Sequence, residues 1–128
     1  MIIYRCEVYF IGLGILSILS MNLKGDIEQM LKLATESRSK AYCPYSGFAV
    51  GCCILGANGK YYTGCNVERA VNSICAEGTA IVKMVEDGCQ KLLEVYVVTS
   101  LSGDMLAAPC GICRQFIKEF SANDVSRL

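Results

Sequence analysis

The chain contains no histidine. Imidazole is therefore excluded as a metal ligand or proton carrier, and any such site must use thiolates and carboxylates. Net charge is also missing, because 12 basic residues balance 12 acidic ones. No basic stripe interleaved with aromatics occurs, so the sequence gives no support for a nucleic-acid partner. Long apolar runs are scarce. VYFIGLGILSILSM, residues 8–21, is uncharged over fourteen positions, short of the about 20 needed for a membrane span. A membrane is thus not an expected partner. The stretch has the length of a signal-peptide core but no clean A-x-A site follows it. Residues 1–21 are expected to be an apolar extension, signal-like or left by a mispredicted start. A domain over 22–128 would open with MNLKGDIEQMLKLA, where Ile27, Met30, Leu31 and Ala34 fall at helical spacing.

Cysteine, by contrast, is abundant. Nine occur among 128 residues, an odd number at irregular spacings. That pattern fits reduced thiols in a cytoplasmic setting better than a disulfide framework. The length suits one domain with a substantial core.

Residues 24–39 read as an amphipathic helix. CPYSG (43–47) is a turn, and FAVGCCILG (48–56) an apolar strand. Asn58-Gly59 signals a hairpin, with KYYTGCNV (60–67) as the return strand. CAEGTAIVKMVED (75–87) is a helix with a stripe of Ala76, Ala80, Ile81, Met84 and Val85, capped by Gly88. LLEVYVVTS (92–100) is too apolar for a solvated face and reads as a central strand. Residues 110–120 form a last helix. Neither repeats nor low-complexity tracts interrupt this order, which suggests a three-layer α/β sandwich.

Two thiol motifs stand at helix starts. Pro109 introduces Cys110 and Cys113, and proline suits a first helical turn because its missing N–H would be unpaired there. Residues three apart lie on one side of the turn, so both sulfurs can reach one metal ion. The positive helix end favours their thiolates. Cys75 has the same advantages. Three thiolates with a fourth position open make a catalytic zinc site rather than a closed structural one. Glu77 lies two residues beyond Cys75, about 200° around a helix. The two can converge only across the helix end, with Cys75 still in the connecting turn. Glu77 would then be a base beside the metal, not a ligand. Taken singly, the C-x-x-C also fits a redox pair or half of a zinc knuckle, and C-A-E fits an ordinary helix start. Cys6, Cys52, Cys53, Cys65 and Cys89 read as packing residues, while Cys43 sits at a turn.

CPYSGFAVG (43–51), GCNVE (64–68), CAEGTA (75–80) and PCGICRQ (109–115) resemble, in this order, the small cytidine deaminases that act on free nucleosides. The resemblance runs from about residue 22 to about residue 120. The zinc deaminase class carries H-x-E…P-C-x-x-C, or three cysteines; without histidine, only the latter fits. The resemblance implies a three-layer α/β/α sandwich with a mixed sheet. It implies one zinc ion on Cys75, Cys110 and Cys113, and hydrolysis of cytidine and deoxycytidine to the uracil nucleosides in pyrimidine salvage. Glu77 would carry the protons, and Phe48, Asn66, Glu68 and Ala76 would contact the substrate. Phe48 would pack on the base, and Asn66 and Glu68 would meet ribose hydroxyls. The partner it implies besides the nucleoside is a second copy of the chain, in a homotetramer.

Three features depart from the family's pattern. Gly78 stands where arginine usually follows the C-A-E glutamate. Zinc with three thiolates is negatively charged overall and so a weaker Lewis acid; that arginine offsets the excess, and Arg114 or Arg69 is the available substitute. The segment RAVNSI (69–74) is short for the family and lacks its usual tyrosine. ANDVSRL ends the sequence about where a further strand is expected, which would leave the strand 92–100 with an open apolar edge. The last two features put assembly in question. Gly78 and the missing end allow a second reading, a weakened or inactive zinc-binding subunit that associates with full-length deaminase. Among enzymes, a blasticidin-type aminopyrimidine deaminase is the nearest competitor.

Overall fold

A computed structural model of the chain describes residues 3–7, 25–100 and 108–122. It opens with a short strand, β1, Ile3–Glu7. Helix α1, Ile27–Arg38, starts behind Asp26, whose carboxylate accepts the Gln29 N–H at 3.1 Å. Such a cap satisfies a backbone donor that the helix itself cannot. Its buried residues, Met30, Ala34 and Ser37, form one stripe. Strands β2, Val50–Gly56, and β3, Tyr61–Cys65, make a hairpin around Asn58-Gly59. Helix α2, Ala76–Glu86, ends at Gly88, which takes φ 84°. There the Gly88 and Cys89 N–H groups turn back onto the carbonyls of Val85 and Met84. Glycine enters that left-handed position without steric cost. Strand β4, Leu92–Thr99, and helix α3, Gly111–Phe120, complete the described elements. Residues 8–21, expected to be a signal-like stretch, lie outside the described residues, as do 123–128.

The sheet order is β1-β4-β2-β3. The expected mixed sheet is antiparallel in every strand pair among the described residues. The physical reason is the crossover. Helix α2 returns the chain so that β4 runs parallel to β3, but β2 lies between them and opposes both. The open edge expected along residues 92–100 is also corrected, because β1 pairs with β4 from Ile3↔Val98 to Glu7↔Glu94. A strand from the far end of the chain leaves no local signal of its partner.

Both faces of the sheet are covered, and this explains the near-continuous apolar runs of β2 and β4. Cys52, Ile54, Val95 and Val97 pack under α2 and α3 with Ala80, Ile81, Met84 and Ile117. Cys53, Leu55, Tyr96 and Val98 pack against Met30 and Ala34 of α1. The result is the expected three-layer α/β/α sandwich. Cys52, Cys53 and Cys89 are buried as the packing reading requires, whereas Cys65 is only half-buried.

Candidate metal centre and substrate pocket

Helix α2 is pressed onto the sheet at its first turn. A Cβ at Gly64 of β3 would stand 2.2 Å from the Ala76 carbonyl oxygen and 2.6 Å from the Ala80 nitrogen. Only glycine permits that approach. Thr79 reinforces it, its hydroxyl donating to the carbonyls of Cys65 and Cys75. Upstream, Val67 and Ile74 exchange backbone hydrogen bonds and close the short loop 68–73. Asn72 turns that loop at φ 58°. Cys75 is thereby left as the N-cap, extended at φ −76° and ψ 157°. Its side chain makes no capping bond. This is the connecting-turn placement that lets Cys75 and Glu77 converge.

Helix α3 delivers the other two thiols. Cys110 is its N-cap, and its sulfur accepts the Cys113 N–H at 3.4 Å. The sulfurs of Cys75, Cys110 and Cys113 all lie within 4.8 Å of one another. Cys75 and Cys110 are 3.6 Å apart. Zinc–sulfur bonds of about 2.3 Å in a tetrahedron place sulfurs about 3.8 Å apart. The donor set and its spacing therefore fit one zinc ion held by three ligands from the described residues.

Charge is concentrated here. Hydrogen bonds from the Cys113 and Cys110 thiols bring the Cys75 thiol down to about 6. The Cys113 thiol moves the opposite way, raised by its bond to Cys75, by burial and by Glu77. The thiolate is thus favoured at Cys75 and disfavoured at Cys113. Glu77 is 4% exposed. It also helps raise the thiol of fully buried Cys52, after burial itself. A divalent cation would relieve this crowding. Arg114 Nε donates to the Pro109 carbonyl at 3.0 Å, and Arg69 Nε to the Asn72 carbonyl at 2.8 Å. A Cβ at Gly78 meets nothing within 4 Å, so the helix has room for a larger side chain there.

A pocket of about 220 Å³ adjoins the sulfurs. Phe48, Asn66, Glu68, Cys75, Ala76, Glu77 and Cys110 all line it. Cys113 faces the neighbouring groove, between Gly78, Val82 and Ile112. Sequence reasoning missed Val50, Val97 and Thr99 as pocket walls. Val97 and Thr99 follow Val95 at strand period on the α2 side, and that alternation was the available signal. Asn66 is bonded to the backbone on both sides: its Oδ1 accepts the Val50 N–H and its Nδ2 donates to the Phe48 carbonyl, each at 2.8 Å. Glu68 accepts the backbone N–H groups of Tyr45 and Ser46 at 3.0 and 3.1 Å, and the Ser46 hydroxyl as well. The Ser46 hydroxyl holds the Glu68 carboxyl below its usual range, with those backbone donors adding to the effect.

Residues 24–127 match the family model described as the cytidine and deoxycytidylate deaminase zinc-binding region. A cytidine deaminase of Sporosarcina psychrophila is 41% identical over 97 residues, 74% of this chain and 70% of that one. A probable cytidine deaminase of Dictyostelium discoideum is 39% identical over 102 residues, 78% of this chain and 69% of its own length. Among solved structures, the cytidine deaminase of Burkholderia pseudomallei superposes with a TM-score of 0.67 at 36% identity, covering 75% of this chain and 77% of that one. That of Mycobacterium tuberculosis gives 0.69 at 34% identity, covering 77% and 80%. With its sulfur cluster, its α/β/α layers and these likenesses together, the chain belongs to the zinc-binding cytidine and deoxycytidylate deaminase family.

Proposed function

We propose that the chain hydrolyses cytidine and deoxycytidine to uridine and deoxyuridine, releasing ammonia, as a step of pyrimidine salvage. One observation carries this reading. Three sulfurs able to hold one ion cluster beside a pocket that two of them, Cys75 and Cys110, line together with the buried Glu77 carboxylate, Phe48, Asn66 and Glu68.

Cys75, Cys110 and Cys113 are the ligands. Zinc bound there supplies Lewis acidity, which lowers the pKa of water towards about 7. Glu77 is the base. Its carboxylate takes a proton from the attacking water and passes it to N3 of the pyrimidine, which makes C4 electrophilic. Oxygen adds to C4, and Glu77 then moves the second proton to the departing amine. The carboxylate returns to its starting state and ammonia leaves. Val97, Ala76 and Pro109 give the pocket apolar walls that limit competing water. Phe48 packs against the base, while Asn66 and Glu68 face the sugar. The eight free cysteines among the described residues support a reducing, cytoplasmic setting. Ile74, Val82 and Ile112, at 51%, 57% and 69% exposure, support association with further copies of the chain.

Ultraviolet loss of cytidine, followed with zinc-loaded protein, tests this. Glu77→Gln is expected to cut kcat by about a thousandfold, the range assigned to a positioned proton carrier, with zinc retained. Zinc at one per chain without deamination in the parent protein would assign it the non-catalytic subunit role instead.

A further inference from the structure

Two hydrogen bonds through one hydroxyl, that of Ser46, join the Glu68 carboxylate to the backbone of Phe48. Glu68 takes the backbone N–H groups of Tyr45 and Ser46 on Oε2 and the Ser46 hydroxyl on Oε1. The same Ser46 oxygen accepts the Phe48 N–H at 3.0 Å. Asn66 holds the Phe48 carbonyl from the other side. Both backbone polar groups of Phe48 are thus tied by side chains, and Phe48 lines the same pocket as Cys75 and Cys110. A carboxylate offers about four acceptor positions. Three on Glu68 are already committed, which leaves one for a sugar hydroxyl and fixes where it points.

We propose that Ser46 is a positioning residue for nucleoside recognition: its hydroxyl aims the Glu68 carboxylate at the sugar while setting the backbone that carries Phe48 to the base. This rests on the deaminase reading of the pocket. Ser46 acts through Glu68 and Phe48 and need not touch the substrate. Two alternatives are weaker. A turn stabiliser would need Ser46 to bond only within residues 43–47, but its oxygen reaches Glu68, 22 positions away. A free sugar-binding glutamate would need an uncommitted carboxylate, and this one holds three donors. Pre-ordering of this kind lowers the entropy that substrate binding must overcome.

The test measures affinity apart from turnover. Calorimetric binding of cytidine and of 1-methylcytosine, which lacks the sugar, is followed in zinc-loaded Glu77→Gln protein. Ser46→Ala is added to that background, and then Ser46→Thr and Glu68→Gln. Ser46→Ala is expected to weaken cytidine about tenfold, equivalent to about 1.4 kcal/mol. Ser46→Thr, which keeps the hydroxyl, should restore most of that loss. In combination with Glu68→Gln, Ser46→Ala should cost far less than it does alone. The loss for 1-methylcytosine should be smaller, since only the Phe48 arm serves it. Unchanged cytidine affinity in Ser46→Ala overturns the proposal. So do an equal loss for both ligands, which would mark general damage to the turn, and losses that simply add to those of Glu68→Gln. If the expected pattern appears but the parent protein turns over no cytidine, the positioning role stands and the deaminase reading fails. If the zinc-loaded protein binds neither ligand, both fail.

Discussion

The two helix starts that meet at the sulfur cluster supply the same chemistry from opposite circumstances. At α2, Ala76, Glu77 and Gly78 are all buried, and the first turn rests on the backbone of β3 at Gly64. At α3, Gly111 and Ile112 are exposed, and Cys113 and Ile117 are the buried residues of the helix. The far end of α3 is tied to the sheet, where the Ala122 N–H bonds the Leu92 carbonyl at 3.0 Å. Among the described residues, its near end is anchored by buried Cys113 and by the Cys110 sulfur, 3.6 Å from that of Cys75. The contrast separates two ways of placing a ligand. The fold buries Glu77 and the turn beside Cys75, while the start of α3 around Cys110 lies exposed, so a bound ion would be expected to add local folding energy chiefly to α3.

The largest effect expected from breaking this pairing comes from its ligands. Serine at Cys75, Cys110 or Cys113 should abolish stoichiometric zinc and turnover, read by elemental analysis and cytidine assay. Hydrogen exchange sharpens the comparison. Chelation should strip protection from residues 110–114 while residues 76–84 keep theirs; equal loss in both would show that the two starts are equally preorganised. Next in size is Gly64→Ala, which attacks the preorganised half alone. Its methyl would strike the Ala76 carbonyl and move α2, costing about 1–3 kcal/mol as overpacking does. Denaturant titration measures that loss, and a wild-type midpoint would contradict the close approach.

Thiol reactivity gives a smaller, local difference. In metal-free protein, Cys75 is depressed to about 6 by its thiol neighbours. A depressed pKa means thiolate above that pH, so alkylation by iodoacetamide should be fast at pH 7 and fall as pH drops through about 6. Cys113, raised and buried, should react far more slowly. Peptide mapping distinguishes them, and faster labelling of Cys113 would reverse the charge assignment. The least effect at the site is expected from removing residues 1–7. Both helix starts stay in place, but β4 loses its neighbour β1 and its exposed edge invites pairing between chains. Sedimentation should then show self-association, and a monodisperse truncation would show that β1 is not needed to protect the edge.

Much of the site was legible because its signals are local. Pro109 marks a helix start, Cys110 and Cys113 share its first turn, and the geometry of Cys75 and Glu77 forces Cys75 into the cap. The hairpin at Asn58-Gly59 and the turn at Gly88 were legible for the same reason. What the sequence hid depends on contacts between distant segments. Val97 and Thr99 enter the pocket through the pairing of β4 with β2. Asn66 and Glu68 read as residues waiting for a sugar, yet each already grips the 45–50 segment. Residues 3–7 give no sign of the partner they find some ninety positions away.

The 3.6 Å between the sulfurs of Cys75 and Cys110 has a practical consequence. Moving them to about 2.05 Å and removing two electrons would make a covalent bridge. Air would thus do more to the stripped protein than leave it empty. It would seal two of the three positions that the ion needs, so recovery of activity should call for a reductant before zinc.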